Sequence, residues 1–326
     1  MVCSVAMLAV VIPCFRVRRH ILEVLAAVPA SVSRIYVVDD ACTEGSGDLV
    51  ESACRDPRVE VLRHTTNQGV GGATLTGYRA ALADGARIVV RLDGDGQMDP
   101  ALISRLVRPI DAGEADYAKG NRFFELAGLR AMPWLRLFGN SVLSFASKLS
   151  SGYWNVFDPT NGFTAIHADV LRALPLDKLA RGYFFESDLL FRLGTIRAVV
   201  TDVPMPARYA DEESGLVVRR VALPFARGHL VNFAKRLFYN YYLRNFNVAS
   251  IEIALAFPLI AFGTWIGATR WLEGSARDVP ATAGTVMLAA LPVLVGVQLL
   301  LAFFSYDTAN VPREVLHRRL APDDAT

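Results

Sequence analysis

Two long uncharged stretches near the end of the chain constrain its fold more than any other feature. From Val279 to Tyr306 there are 28 residues without an acidic or basic side chain. Ile253 to Thr269 adds 17 more, and Ala249, Ser250 and Ile251 extend that stretch past the single Glu252. A bilayer core takes about 20 apolar residues of helix. Both stretches are therefore read as membrane spans, at about 249–271 and 280–305, rather than as buried helices of a soluble domain. The apolar opening, Val2 to Phe15, is different: it lacks a basic lead-in, Pro13 interrupts it, and a strand-and-loop pattern follows. It reads as a buried first strand, not a signal peptide.

The first half alternates short β-branched runs with helical stretches. Strands are expected at Val5–Ile12, Arg34–Val38, Val59–Arg63 and Arg87–Leu92, and helices at Arg18–Val28, Gly47–Cys54 and Gly72–Asp84. That rhythm predicts an α/β domain built on a mostly parallel sheet with helices on both faces. Ligands of such sheets bind beyond the carboxyl ends of the strands. The polar clusters fall there: Asp39-Asp40 after the second strand, and Asp93-Gly94-Asp95-Gly96-Gln97 after the fourth.

Charge sets the topology. Between Leu216 and Ile251 there is no acid, whereas Arg219, Arg220, Arg227, Lys235, Arg236 and Arg244 are basic. Leu230, Phe233, Leu237, Phe238 and Tyr241 recur at helical spacing, with Asn232, Lys235, Arg236 and Asn240 elsewhere round the wheel. This predicts a basic amphipathic helix lying on an anionic leaflet before the first span. Arg313, Arg318 and Arg319 follow the second span, while the connector Arg270–Asp278 is balanced. The positive-inside rule then places the large domain and the tail in the cytoplasm. A net charge of only +2 excludes nucleic-acid binding by bulk electrostatics, and 52% hydrophobic residues exclude a disordered chain. Cys3, Cys14, Cys42 and Cys54 show no CxxC spacing and read as reduced thiols.

Paired carboxylates separated by glycine at a strand end suit a hard cation with oxygen ligands, Mg²⁺ or Mn²⁺. Such an ion can take up charge on a departing diphosphate. Asp39 and Asp40 can accept hydrogen bonds from a nucleoside, and one of them can cap a helix. Asn67-Gln68-Gly69-Val70-Gly71-Gly72-Ala73 places small residues between strand and helix, where a backbone can approach a ligand closely. No phosphate-loop motif is present in the sequence.

These pieces, in this order, resemble the family-2 glycosyltransferases of GT-A fold. The carriers are VVIPCF, IYVVDDACTEGSGDL, NQGVGGATLTG, RLDGDGQMDP, DPTNGFTAI and FFESDLLFRL. With two C-terminal spans, the chain is most similar to polyprenol-phosphate sugar synthases of the dolichol-phosphate mannose and undecaprenyl-phosphate glucose type. The resemblance implies a catalytic domain over 1–215, a juxtamembrane segment over 216–247, two spans within 248–306 and a cytoplasmic tail over 307–326. It further implies that Asp93 and Asp95 are catalytic and hold the metal with Gln97, and that Pro13, Phe15, Asp39, Asp40 and Gly71 line the donor pocket. Arg208 resembles the arginine of a loop closing over the diphosphate; Arg122, Arg136 and Asn140 would hold the acceptor phosphate. The family's P-x-Y-N-E reads Pro13-Cys14-Phe15-Arg16-Val17 here, and its lid ends in Ser214-Gly215 instead of Ser-Lys.

Acceptor chemistry separates the candidate activities. A phosphate monoester has a second pKa of about 6 and is mostly dianionic at neutral pH, so it needs positioning but no base. A sugar hydroxyl requires a carboxylate base within hydrogen-bond reach. Arg122, Arg130 and Arg136, in a stretch whose only acid is Glu125, fit the first case, since guanidinium matches phosphate in bidentate geometry. Glu186 and Asp188 supply bases for the second, or else serve in capping or in a buried pair with Arg192. The expected activity is inverting transfer of a hexose from a UDP- or GDP-sugar to polyprenol phosphate, at the inner membrane of a bacterium. Its alternatives are transfer to a hydroxyl of a lipid-linked glycan or glycolipid, and a non-catalytic nucleotide-sugar-binding membrane protein. Expected partners are the nucleotide-sugar, the polyprenol phosphate and membrane lipids; a homo-oligomer is compatible with the sequence.

Overall fold

The computed structural model describes residues 7–124, 134–206 and 218–320. Among these, seven strands form one sheet: β1 (Leu8–Cys14), β2 (Arg34–Asp39), β3 (Val59–Arg63), β4 (Ile88–Arg91), β5 (Tyr117–Asn121), β6 (Thr164–His167) and β7 (Val200–Pro204). Their order is β3-β2-β1-β4-β6-β5-β7. Every pairing is parallel except those of β6, which runs against both β4 and β5. β1 lies inside the sheet and is apolar without alternation, Ala9 to Ile12 being wholly buried. That is the pattern of a strand covered on both faces. It runs through Pro13 to Cys14, two residues beyond the expected end. Pairing with β4 stops at Val11–Arg91, so Pro13 withdraws no N–H from that ladder.

Helices α1 (Ile21–Ala26), α2 (Ser46–Ala53), α3 (Gly69–Ala83) and α4 (Ile103–Asp111) connect the first strands. Next come α5 (Trp134–Ser151), α6 (Ala168–Ala173) and α7 (Phe185–Ile196). The reversal of β6 matters for function. It brings the segment before Thr164 to the edge where β4 and β5 end, with Thr164 opposite both Arg91 and Lys119.

Residues up to Phe233 and from Pro312 form one compact unit, and Ala234–Val311 form a second. Helix α8 (Val218–Leu237) runs from the first into the second, followed by a π-helical turn over Phe238–Arg244. Part of its polar side turns inward, while part of the apolar stripe and Lys235 stay exposed. Asn232 and Arg236 are buried, and Leu230 and Phe238 are exposed. The polar side chains find partners inside: Asn232 donates to Asp188, and His229 bonds Ser150. Helical spacing locates a stripe but cannot say whether that stripe faces protein or lipid.

In the second unit, α9 (Val248–Arg277) and α10 (Ala283–Ala309) form a hairpin, and each is long and apolar enough to cross a membrane. Gly263 and Gly296 let the backbones meet: a Cβ at either would come within 2.5 or 2.8 Å of a carbonyl oxygen, of Ala289 or Ala256 respectively. Small residues at helix crossings do this in lipid. Phe257, Trp265, Leu288, Leu294 and Leu301 remain exposed. Helix α11 (Leu316–Leu320) belongs to the first unit. Asp116 accepts from Leu316 N, His317 N and His317 Nδ1, and His317 stacks on His167 with ring centroids 4.1 Å apart.

Candidate active site

The carboxyl ends of β1, β2, β4 and β5 and the approach to β6 converge at one edge of the sheet. Asp93 and Asp95 lie in the turn after β4, with Gly96 at φ +77°. Asp95 Oδ1 accepts from Gln97 N at 3.0 Å, which fixes the turn. Asp93 Oδ1 is 2.9 Å from Arg91 Nη2, and its side chain keeps 28% exposure. Its other oxygen sits against Gly162, where a Cβ would lie 2.5 Å from Asp93 Oδ2 and 2.9 Å from Arg91 Nη2. Only glycine leaves room for that carboxylate.

These groups offer oxygen donors. Among the described residues no three or more His, Cys, Asp or Glu side chains gather as a self-sufficient metal centre. One or two carboxylates completed by ligand phosphates and water is how Mg²⁺ and Mn²⁺ are commonly held, so the donor set fits such an ion.

Arg91 is the residue that sequence reasoning passed over. It is buried in β4, its guanidinium bonded to Glu186 through Nη1 and to Asp93 through Nη2, with the Phe185 ring 5.8 Å away. Burial works against its charge, but Asp93 and Glu186 more than offset that and hold it firmly protonated. The signal was a lone arginine in the otherwise apolar run IVVRL. Lys119, at the same level on β5, is also fully buried and donates to the Asn161 carbonyl. Burial pushes its ammonium down to about 8, against the pull of Asp158 and Glu186.

The two aspartates after β2 divide their work. Asp40 is buried and accepts from Gln68 N and Gly69 N at 2.8 Å each, and from His64. It therefore holds the start of α3 rather than the helix that follows it in sequence. Asp39 accepts from Cys42 N and faces Arg63 at 3.6 Å. Gly71 serves a close approach of the chain to itself: a Cβ there would lie 2.5 Å from Ala180 O. Pro13 is buried in β1, and Phe15 is exposed just past its end.

On the acceptor side, Arg122 clasps Asp158 through Nε and Nη2, at 2.8 and 3.1 Å. Asp158 is almost fully buried. Asn140 lies on α5, as does Arg136, whose side chain is outside the described residues along with Arg130 and Arg208. Glu186 and Asp188 occupy the first turn of α7, both buried. Asp188 accepts from Ala180 N, Arg192 Nε and Asn232. The pair with Arg192 thus belongs to Asp188, while Glu186 pairs with Arg91.

A mostly parallel sheet in this order, with its carboxylates at that edge, defines a domain of GT-A type. A family model, Glycosyl transferase family 2, matches residues 9–174. The chain belongs to that family. It is 35% identical over 194 residues to an undecaprenyl-phosphate mannosyltransferase of Micrococcus luteus, covering 58% of this chain and 76% of the relative. A polyprenol monophosphomannose synthase of Mycolicibacterium smegmatis is 32% identical over 212 residues, covering 64% of this chain and 78% of that one. Among solved structures, glucosyl-3-phosphoglycerate synthase from Mycobacterium tuberculosis, in complex with Mn²⁺, UDP and phosphoglyceric acid, shares the fold. Its TM-score is 0.53 at 18% identity, over 71% of this chain and 78% of that one.

Proposed function

We propose that this glycosyltransferase moves a hexose from a UDP- or GDP-sugar to a polyprenol phosphate at the cytoplasmic face of a bacterial inner membrane. The observation that carries the reading is the pair of oxygen donors, Asp93 and Asp95, at the sheet edge, beside an acceptor side built on arginine. Both relatives named above act on polyprenol phosphates, and the fold neighbour holds Mn²⁺ with UDP.

In this reading Asp93, Asp95 and Gln97 hold Mg²⁺ or Mn²⁺, which supplies positive charge to the leaving diphosphate. Phe15 and Asp39 bound the nucleoside side of the pocket, and Arg208 closes on the diphosphate. Arg122, Arg136 and Asn140 orient the lipid phosphate for in-line attack on the anomeric carbon, with inversion. The nucleophile arrives deprotonated, so no base is required. Two observations support a phosphate over a hydroxyl acceptor: Glu186 is tied to Arg91, and Asp188 is occupied by three donors.

The membrane assignment rests on the apolar hairpin and on the exposed face of α8, where Leu230 and Phe238 alternate with Arg227 and Lys235. The chain leaves the first unit after Phe233 and rejoins it at Pro312, which supports an even number of crossings. Domain and tail then share one face, the cytoplasmic one by charge. The test is incubation of membranes carrying the protein with a panel of labelled nucleotide-sugars and Mg²⁺. Label in a lipid cleaved by mild acid is expected; label confined to a hydroxyl-linked glycan would replace this reading with the alternative acceptor.

A further inference from the structure

The buried group behind the candidate metal ligands poses an electrostatic problem. Among the described residues Arg91 is the one cation that hydrogen-bonds Asp93, and it does so from a site with 3% side-chain exposure. A guanidinium there orients the carboxylate and, wedged with it against Gly162, leaves it little freedom. It also brings a full positive charge to the place where a divalent cation needs a negative one. In a poorly solvated site an adjacent opposite charge changes a carboxylate's affinity for a cation by about tenfold or more. Left alone, Arg91 would position Asp93 and weaken it together.

Glu186 resolves the conflict. It approaches Arg91 from α7, on the other amino group of the guanidinium, with its own side chain 10% exposed. Stability does not account for the arrangement, because a buried ion pair is often no better than apolar residues of similar volume. Lys119, the other buried cation nearby among the described residues, has Asp158 and Asp202 acting on it besides Glu186.

We propose that Glu186 is a charge-compensating positioning residue: it neutralises Arg91, so that Arg91 can orient Asp93 without cancelling the charge that Asp93 and Asp95 present to a divalent cation. The proposal rests on the metal-dependent reading above and gives Glu186 a role other than general base.

The test is Mn²⁺ binding to the full-length protein in detergent with UDP present, read as loss of the free-ion signal in electron paramagnetic resonance. Four proteins are compared: wild type, Glu186→Gln, Arg91→Met, and the double variant. Glu186→Gln, which keeps size and polarity, should weaken Mn²⁺ by about tenfold or more. Arg91→Met should not weaken it, since the negative charge near the site then grows. The double variant should return to within about threefold of wild type. If Glu186→Gln loses turnover at unchanged Mn²⁺ affinity, Glu186 is a base and the proposal falls. If the double variant binds as poorly as Glu186→Gln, the effect is structural and the proposal also falls. Should either single variant fail to fold, the double variant decides alone: near-wild-type affinity supports compensation, and a tenfold loss overturns it. Absence of Mn²⁺ binding by the wild type would instead sink the metal-dependent reading.

Discussion

Among the described residues two arginines are buried, one in each compact unit, and they are held in opposite ways. Arg236 in the second unit meets Asp307 fork to fork, Nη1 to Oδ1 at 2.7 Å and Nη2 to Oδ2 at 3.0 Å, and Tyr241 donates to the same carboxylate. One cation faces one anion in closed bidentate geometry. Arg91 in the first unit is shared between two carboxylates, one of them partly open to solvent. The closed pair ties the end of α8 to the end of α10, and leaves nothing over for a ligand. The shared one leaves a net negative charge at an accessible edge. Burial of charge marks a functional site only where the charges do not cancel locally.

The comparison can be broken experimentally, starting with the largest effect. Asp95→Ala should reduce sugar transfer by about a thousandfold or more while the protein stays folded in the membrane. Undiminished transfer would remove the metal from the first unit's role. Asp307→Ala should do the reverse. It strands a buried guanidinium, which costs about 3 kcal/mol or more of stability. Unfolding in detergent should show that loss, with transfer by the surviving folded fraction unchanged; a transfer defect without a stability defect would make the two pairs alike.

Acid should separate the units. Burial depresses His167 and His229 from 6.5 to about 4, with His317 adding to the effect on His167. The folded state therefore resists protons that the unfolded chain accepts. The stability due to these neutral imidazoles is complete above about 6.5 and is lost as pH falls towards 4. All five histidines of the chain lie in the first unit. Hydrogen exchange between pH 7 and 4.5 should open that unit before the hairpin helices; simultaneous opening would count against it. The smallest effect is expected at Arg122→Ala, with KM for lipid phosphate raised about tenfold and nucleotide affinity nearly unchanged. Equal loss on both substrates would reassign Arg122 to holding Asp158 alone.

The edge of the sheet was legible from sequence because strands announce themselves by β-branched runs, and Asp93 and Asp95 follow one directly. The two long apolar helices were legible because a charge-free run of that length has few other uses. The partners of those residues were not. Asp40 faces its own strand in sequence but serves α3, and Gly71 makes room for Ala180 across more than a hundred residues. Arg236 carries the charge of a surface residue, yet a carboxylate 71 positions away draws it inside.

By itself, then, the sequence determined the strand and helix rhythm, the carboxylate pair at a strand end and the two long apolar helices. Each follows from local propensity and from the hydrophobicity of a continuous segment. Tertiary structure alone decided which charge neutralises which: that Glu186 meets Arg91, that Asp158 meets Arg122, and that Asn232 and Arg236 of α8 turn inward to Asp188 and Asp307. The reason is physical. Periodicity records which residues share a face, but the energy of a buried charge depends on what lies opposite it, and that is chosen only when distant strands and helices come into register.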